Sequence, residues 1–298
     1  MGKVGVIGLG IMGRPMAQNL LKAGYEVMVR DLNPTPVEAL VRQGAVAGSN
    51  REIGAGCDVI LLVLPNGRIV QNVLFGRDGL AEFLSPGTLV CDMSSVTPGE
   101  SQTCCERLAE QGVSFLDAPV SGGEPGAVEG TLAIMCGGDP KAFERMAPYF
   151  QVLGSSAVLI GGSGSGSLAK LVNQVIVNLG IAAVSEALVL AEKGGADPMK
   201  VYQAIRGGLA GSHVLDAKAP MMCSRNFAPG GKISINHKDI SNVMTTAHEL
   251  DVPMPMTSML LEIMQALKVS GHMDEDHAAI VKYFERLAQV EVKSELAR

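Results

Sequence analysis

KVGVIGLGIMGRPMAQNLL, residues 3–21, runs from a short apolar stretch through three glycines into apolar residues at helical spacing. It reads as a strand, a tight turn and a helix. Within it, Gly8, Leu9, Gly10, Ile11, Met12 and Gly13 form a G-x-G-x-x-G pattern. The first glycine allows a tight turn, the second lets a pyrophosphate approach the backbone, and the third allows close helix–strand contact. Phosphates then rest on the exposed N–H groups of the helix start. A glycine turn alone is weak support, but a second strand, Glu26–Arg30, ends at Asp31, 18 residues beyond Gly13. An acid there accepts hydrogen bonds from ribose hydroxyls and repels the additional phosphate of NADP. The pattern therefore predicts a dinucleotide site that prefers NAD. Arg30 leaves NADP open, because a twist at the strand end would turn its charge toward a phosphate.

The alternation continues outward. Residues 33–42 open a helix behind Pro34, and residues 59–64 form a continuous apolar run, as expected of a parallel strand covered on both faces. Residues 88–91, 114–116 and 132–135 are further candidate strands, with helix-like segments between most of them. At Gly161 the alternation gives way to GGSGSGS, and no convincing strand follows. Residues 168–192 read as one long apolar helix with no charge between Lys170 and Glu186. A membrane span needs about 20 apolar residues, whereas this segment carries Asn173, Gln174, Asn178 and Ser185, so a helix buried between domains is expected. Helical spacing recurs over 199–205, 240–250, 256–269 and 278–289. The expected fold is an α/β Rossmann-type, doubly wound, parallel sheet followed by an all-α domain built around the long interdomain helix. The expected boundaries are 1–162 for the dinucleotide-binding domain and 163–298 for the substrate and oligomerisation domain, with the long helix at about 167–192.

Composition agrees with two packed domains. The 298 residues are 47% apolar and 18% charged, which excludes disorder. The net charge of −6, without a basic block, argues against a nucleic-acid partner. Six cysteines without a C-x-x-C pair read as core residues in a reducing compartment. The N-terminus lacks a charged region followed by a cleavable apolar run, so a soluble cytoplasmic protein is expected, with no membrane partner. The histidines show no ligand spacing and no metal is expected. Met221, Met222, Met254 and Met256 are expected to fill the helical core.

Two further segments carry chemistry. Ser121, Gly122 and Gly123 follow a predicted strand and offer a hydroxyl and unobstructed backbone N–H groups, a small anion cradle. An ordinary Ser-Gly turn is the plain alternative. Lys170 and Asn173 are three apart and share a face in the first turns of the long helix. The positive helix end and the apolar surroundings push a lysine there toward losing its proton, which suits acid–base work. The alternative is a lysine snorkelling at a helix start.

On these residues the chain is identified as resembling the β-hydroxyacid dehydrogenase family. The likeness runs through residues 5–25, LPN at 64–66, DMSSV at 92–96, DAPVSGGEPGAVEGTL at 117–132, GSGSLAKLVNQ at 164–174 and NHKD at 236–239. The resemblance implies that Ser121, Gly122 and Gly123 hold the substrate carboxylate. It makes Lys170 the catalytic acid–base and has Asn173 position substrate. It sets Leu64, Pro65, Asn66 and Ser95 beside the cofactor, and makes Lys238 a lysine reaching the cofactor from the helical domain. It further implies reduction of a small 3-oxo acid to a 3-hydroxy acid with NADH, and a homodimer or homotetramer. NADP-using relatives carry Asn-Arg-Thr where this chain has Asp31, Leu32 and Asn33, which strengthens the expectation of NAD. Gly230, Gly231 and Lys232 depart from the bulkier residue common in the reductases of the family. A binding protein without turnover would need neither Lys170 nor the cradle, and imine-reducing relatives usually place another residue at the lysine position.

Overall fold

A computed structural model describes residues 2–297, in two compact units, Met1–Lys170 and Leu171–Arg298. The first unit runs β1 (Lys3–Ile7), α1 (Gly13–Lys22), β2 (Glu26–Arg30), α2 (Pro34–Val41), β3 (Val46–Ala47), α3 (Asn50–Gly56), β4 (Val59–Leu62), α4 (Gly67–Phe75) and β5 (Leu89–Asp92). It continues with α5 (Pro98–Ala109), β6 (Ser114–Asp117), β7 (Val120–Ser121), α6 (Gly123–Glu129), β8 (Leu132–Gly138), α7 (Pro140–Leu153) and β9 (Gly154–Gly161). The strand order is β3-β2-β1-β4-β5-β6-β8-β7, with β9 on β8. Strands β1 to β6 are mutually parallel; β8 runs antiparallel to β6 and β7 and parallel to β9. The order reverses at β1, flanked by β2 on one side and β4 on the other, which is where a doubly wound sheet opens a crevice at its carboxyl edge.

The side-chain period of two explains why β4 is apolar throughout. Val59 and Leu61 enter the core shared with Met16 and Leu20 of α1 and Met146 and Phe150 of α7. Ile60 and Leu62 enter the opposite core, with Val70 and Leu74 of α4 and Leu108 of α5. Each face of the sheet is thus sealed by its own helices. Helix starts follow local cap chemistry: Ser49 with Glu52 and Thr97 with Glu100 form capping boxes, and Asp139 caps α7.

The second unit contains most of α8 (Ser165–Lys193), then α9 (Pro198–Ile205), α10 (His213–Cys223), α11 (Ile233–Glu249), α12 (Pro255–Val269) and α13 (Val281–Ala288). Among the described residues it contains no named strand. Its core gathers Leu171, Ile181 and Leu188 of α8 with Leu215, Ile240 and Leu260 from three other helices. By length and composition alone α8 resembles a membrane-crossing helix. Two of its polar side chains are nonetheless buried and donate to the helix backbone: Asn178 to the Gln174 carbonyl and Ser185 to the Ile181 carbonyl.

The structure differs locally from the sequence expectations. The 59–64 run ends as a strand at Leu62, because the Leu64 N–H turns away to the Ser94 hydroxyl and Pro65 has no N–H to continue a ladder. Strand β9 and helix α10 carry weak patterns: β9 is a half-exposed edge, and α10 contains Pro220. Met222 is fully buried and Met221 and Met254 are partly buried, but Met256 is solvent-exposed in the first turn of α12, so it lies outside the core.

The parallel register sets Arg30, Ile7, Leu62, Asp92 and Asp117 side by side as one row across the carboxyl edge. Two neighbours in that row are buried acids. Asp92 accepts the Ser94 N–H with one oxygen, and its other oxygen is buried without a hydrogen-bond partner. Burial, with the Asp117 carboxylate adding to it, pushes Asp92 up to about 7 against the opposing Ser94 bonds. The unfolded chain ionises near the ordinary aspartate value, so stability is full below that value and is lost as pH rises through about 7. Asp92→Asn should remove this dependence. In chemical unfolding without cofactor, the variant should gain on wild type between pH 4 and pH 8 by at most about 4 kcal/mol, the worth of a shift of about three units. A stability difference that does not change with pH would contradict it.

Candidate active site

Apart from Lys170, the candidate residues of the first unit follow the strand ends of the carboxyl-edge row in the chain. After Ile7, the chain turns through Gly8 at φ +96°. A side chain there would meet the Val63 carbonyl at 2.2 Å, and one at Gly13 would meet the Gly8 carbonyl at 2.0 Å. Both positions therefore exclude any other residue, and the start of α1 is pressed against the turn. Leu9, Gly10, Ile11 and Met12 complete the loop, and α1 begins at Gly13 with no side-chain cap and no acid in its first turn. Positive helix-end charge and unoccupied N–H groups are what a pyrophosphate requires.

Asp31 follows Arg30 at the end of β2. One of its oxygens accepts the Leu9 N–H at 2.6 Å and the other the Asn33 N–H at 2.8 Å. The acid therefore ties the glycine loop to the next strand end, and each oxygen keeps a second lone pair for a ribose hydroxyl. These features fit a dinucleotide held by Gly8–Gly13 backbone and Asp31. After β4, Leu64 is anchored by its N–H to the Ser94 hydroxyl at 2.9 Å. Pro65 is exposed, and the Asn66 side chain accepts the Ile69 N–H at 3.0 Å as the cap of α4. Ser95 is half-buried in the loop after β5.

Ser121 sits in β7, paired with Ala133 of β8, and is half-buried. Gly122 and Gly123 have φ of +137° and +63°, so this turn also favours glycine. Lys170 is the sixth residue of α8 and only 8% exposed. The start of that helix is held by Asp117, the last residue of β6. Its two oxygens accept the N–H groups of Gly164 and Ser167, each at 2.8 Å. An anion so placed at a helix N-terminus stabilises by roughly 0.3–1 kcal/mol when exposed and up to ~2 kcal/mol when partly buried. Burial raises the Asp117 carboxyl above its ordinary value, opposed by those same N–H groups.

In the second unit the structure joins Asn173 and Lys238 through two residues that carried no role in the sequence reading. Asn173 donates to the Gln174 side-chain oxygen at 3.0 Å, and Gln174 donates to Asp239 at 2.5 Å. The other Asp239 oxygen pairs with the Lys238 ammonium at 2.9 Å. Gln174 and Asp239 are buried, and a buried polar network of this kind fixes the orientation of its ends. A signal was present: Gln174 and Asp239 adjoin the candidate residues within the NQ and KD pairs, but pairing across 65 residues is decided by helix packing. Among the described residues no cluster of metal-ligating side chains occurs.

Comparison with known proteins agrees with this geometry. Residues 3–162 match the profile for the NAD-binding domain of 6-phosphogluconate dehydrogenase, and residues 164–284 that for the NAD-binding region of NADP-dependent 3-hydroxyisobutyrate dehydrogenase. The chain is 42% identical to the 2-hydroxy-3-oxopropionate reductase of Escherichia coli over 96% of its own length and 98% of that protein. It is 38% identical to the 2-(hydroxymethyl)glutarate dehydrogenase of Eubacterium barkeri, over 97% of each chain. The solved structure of the Mycobacterium tuberculosis 3-hydroxyisobutyrate dehydrogenase with L-serine aligns at a TM-score of 0.87 and 30% identity, covering 95% of this chain and 98% of the other. A glycine loop that admits no side chain at Gly8 or Gly13, an acid at the next strand end and near-complete alignment to these enzymes lead to one conclusion: the chain belongs to the β-hydroxyacid dehydrogenases, NAD(P)-dependent oxidoreductases.

Proposed function

We propose that the protein is a 2-hydroxy-3-oxopropionate reductase, converting tartronate semialdehyde to glycerate with NADH, reversibly. The observation that carries this reading is the 42% identity, along nearly the whole chain, to the E. coli enzyme of that name. Relatives named for L-threonate and 3-sulfolactaldehyde stand at 34% and 33%. The bound nicotinamide supplies the hydride; the chain supplies binding and the proton. Ser121, Gly122 and Gly123 hold the substrate carboxylate through the hydroxyl and backbone N–H groups. Lys170 Nζ donates a proton to the aldehyde oxygen as charge develops there, and takes it back in the reverse direction. Asn173, three residues along the same helix, orients that oxygen. Preference for NADH over NADPH is supported by Asp31, whose carboxylate meets the ribose hydroxyls and repels a 2′-phosphate. The proposal includes a cytoplasmic homo-oligomer, dimer or tetramer; in support, α8 leaves Val172, Ile176 and Leu190 exposed as apolar surface.

A panel of tartronate semialdehyde, methylmalonate semialdehyde and a cyclic imine, each with NADH and NADPH, tests the reading by steady-state kinetics. The highest kcat/KM is expected for tartronate semialdehyde with NADH. A higher value for methylmalonate semialdehyde would instead make the protein a 3-hydroxyisobutyrate dehydrogenase. Asp31→Ala should reduce kcat/KM with NADH by about 1–3 kcal/mol of transition-state stabilisation, narrowing the preference. If wild type uses NADPH more efficiently, Arg30 is the determinant. Lys170→Ala should keep NADH binding and cut kcat by roughly 10²–10⁴, the usual worth of a positioned acid–base group. Lys170→Arg should fail almost as badly, because guanidinium keeps its proton near neutral pH. Retention of more than about a tenth of kcat in either variant would assign the proton to water or another side chain.

A further inference from the structure

Asp117 has no part in the chemistry proposed above, yet it joins two of its parts. It is fully buried at the end of β6, and the chain reaches Ser121 four residues later. Its carboxylate accepts one N–H just before α8 and one in the first turn of α8, the helix that carries Lys170. A hydrogen bond across 47 residues and another across 50 make this a cap supplied by the sheet, whereas the other capped helices use a neighbouring residue.

The surroundings are shaped to the same contact. A side chain at Gly166 would lie 2.4 Å from the Met135 carbonyl, 2.5 Å from the Asp117 carbonyl and 2.7 Å from the Gly137 nitrogen. One at Gly137, which is paired with Asp117 across β6 and β8, would lie 2.7 Å from the Gly166 nitrogen and 2.8 Å from each Asp117 carboxylate oxygen. Two missing side chains thus let the first turn of α8 rest directly on strand backbone, and the carboxylate fixes it there. Beside this seat the hydroxyls of Ser101 and Ser167 meet at 2.9 Å.

We infer that Asp117, seated between Gly137 and Gly166, is a positioning residue that sets the first turn of α8, and with it Lys170, against the strand leading to Ser121. The inference rests on the reading of Lys170 as proton donor. Asp117→Asn keeps size but turns one N–H acceptor into a donor facing an N–H, so the helix start must shift. A displacement on the order of 1 Å at a reacting group reduces turnover by up to about 100-fold.

The test is a double-mutant cycle in kcat with the best aldehyde of the substrate panel. Asp117→Asn should lower kcat about 10–100-fold in the wild-type background and less than about 2-fold in Lys170→Ala, because the residue acts through the lysine. The NADH dissociation constant, read by fluorescence titration, should stay within about 2-fold of wild type in both backgrounds. Gly166→Ala, which leaves the carboxylate but displaces the helix start, should show the same non-additivity. Ser101→Ala, which removes only the adjacent hydroxyl contact, should retain kcat within about 2-fold. Equal losses with and without Lys170 would overturn the inference alone. So would failure of both Asp117→Asn and Gly166→Ala to fold, which would make the seat a requirement of the whole fold. An unchanged kcat in Lys170→Ala by itself would overturn the proton-donor reading and this inference with it.

Discussion

The parallel register of the first sheet is the constraint on which the rest depends. Because β1, β2, β4, β5 and β6 run the same way, they end together, and their last residues form one row from Arg30 to Asp117. Every loop that leaves this row emerges on the same edge. The glycine turn, Asp31, the Leu64–Pro65–Asn66 segment, Ser95 and the strand leading to Ser121 all start there. A parallel sheet requires crossovers, and the crossovers here are helices that seal both faces with separate apolar cores. The chemistry-bearing edge is thus a consequence of how the backbone pairs.

Rigidity at that edge comes from short polar ties made by half-buried and buried groups. Asp31 binds the glycine loop, Ser94 binds Leu64, Asp92 binds Ser94, and Asp117 binds the start of α8. Each tie satisfies a backbone N–H left without a partner where a strand stops or a helix starts. The arrangement puts two carboxyl groups next to each other in apolar surroundings, which is why Asp92 holds its proton to about 7. Asp117 sits in the same surroundings but faces two N–H donors. The helical unit uses the same device: Gln174 and Asp239 connect Asn173 to Lys238, so neither end is free to turn.

Relatives at 33–42% identity are named for substrates as different as L-threonate and 3-sulfolactaldehyde. A shared fold thus carries different substrates, because function is set by the site and not by the fold. In this chain the loop at Gly230 and Gly231 is held by its backbone. Both N–H groups bind the buried Asp276, which also pairs with Lys218, so the loop is pinned although it lacks side chains.

The sequence alone determined the elements whose signals are local. The glycine spacing, the apolar run of β4 and the distance to Asp31 identify a dinucleotide fold because turn geometry and side-chain period act over a few residues. The change of texture after Gly161 identifies the helical part for the same reason. Tertiary structure decided what depends on partners far away in the chain. The half-exposed edge strand β9 is defined by pairing with β8, and Met256 is exposed in the first turn of α12 while Leu260 of the same helix is buried. The roles of Gln174 with Asp239, and of Asp117 with Gly164 and Ser167, need residues 47 to 65 positions apart to meet. A carboxylate in a sequence looks the same whether water or a helix start will meet it, and only packing makes that choice.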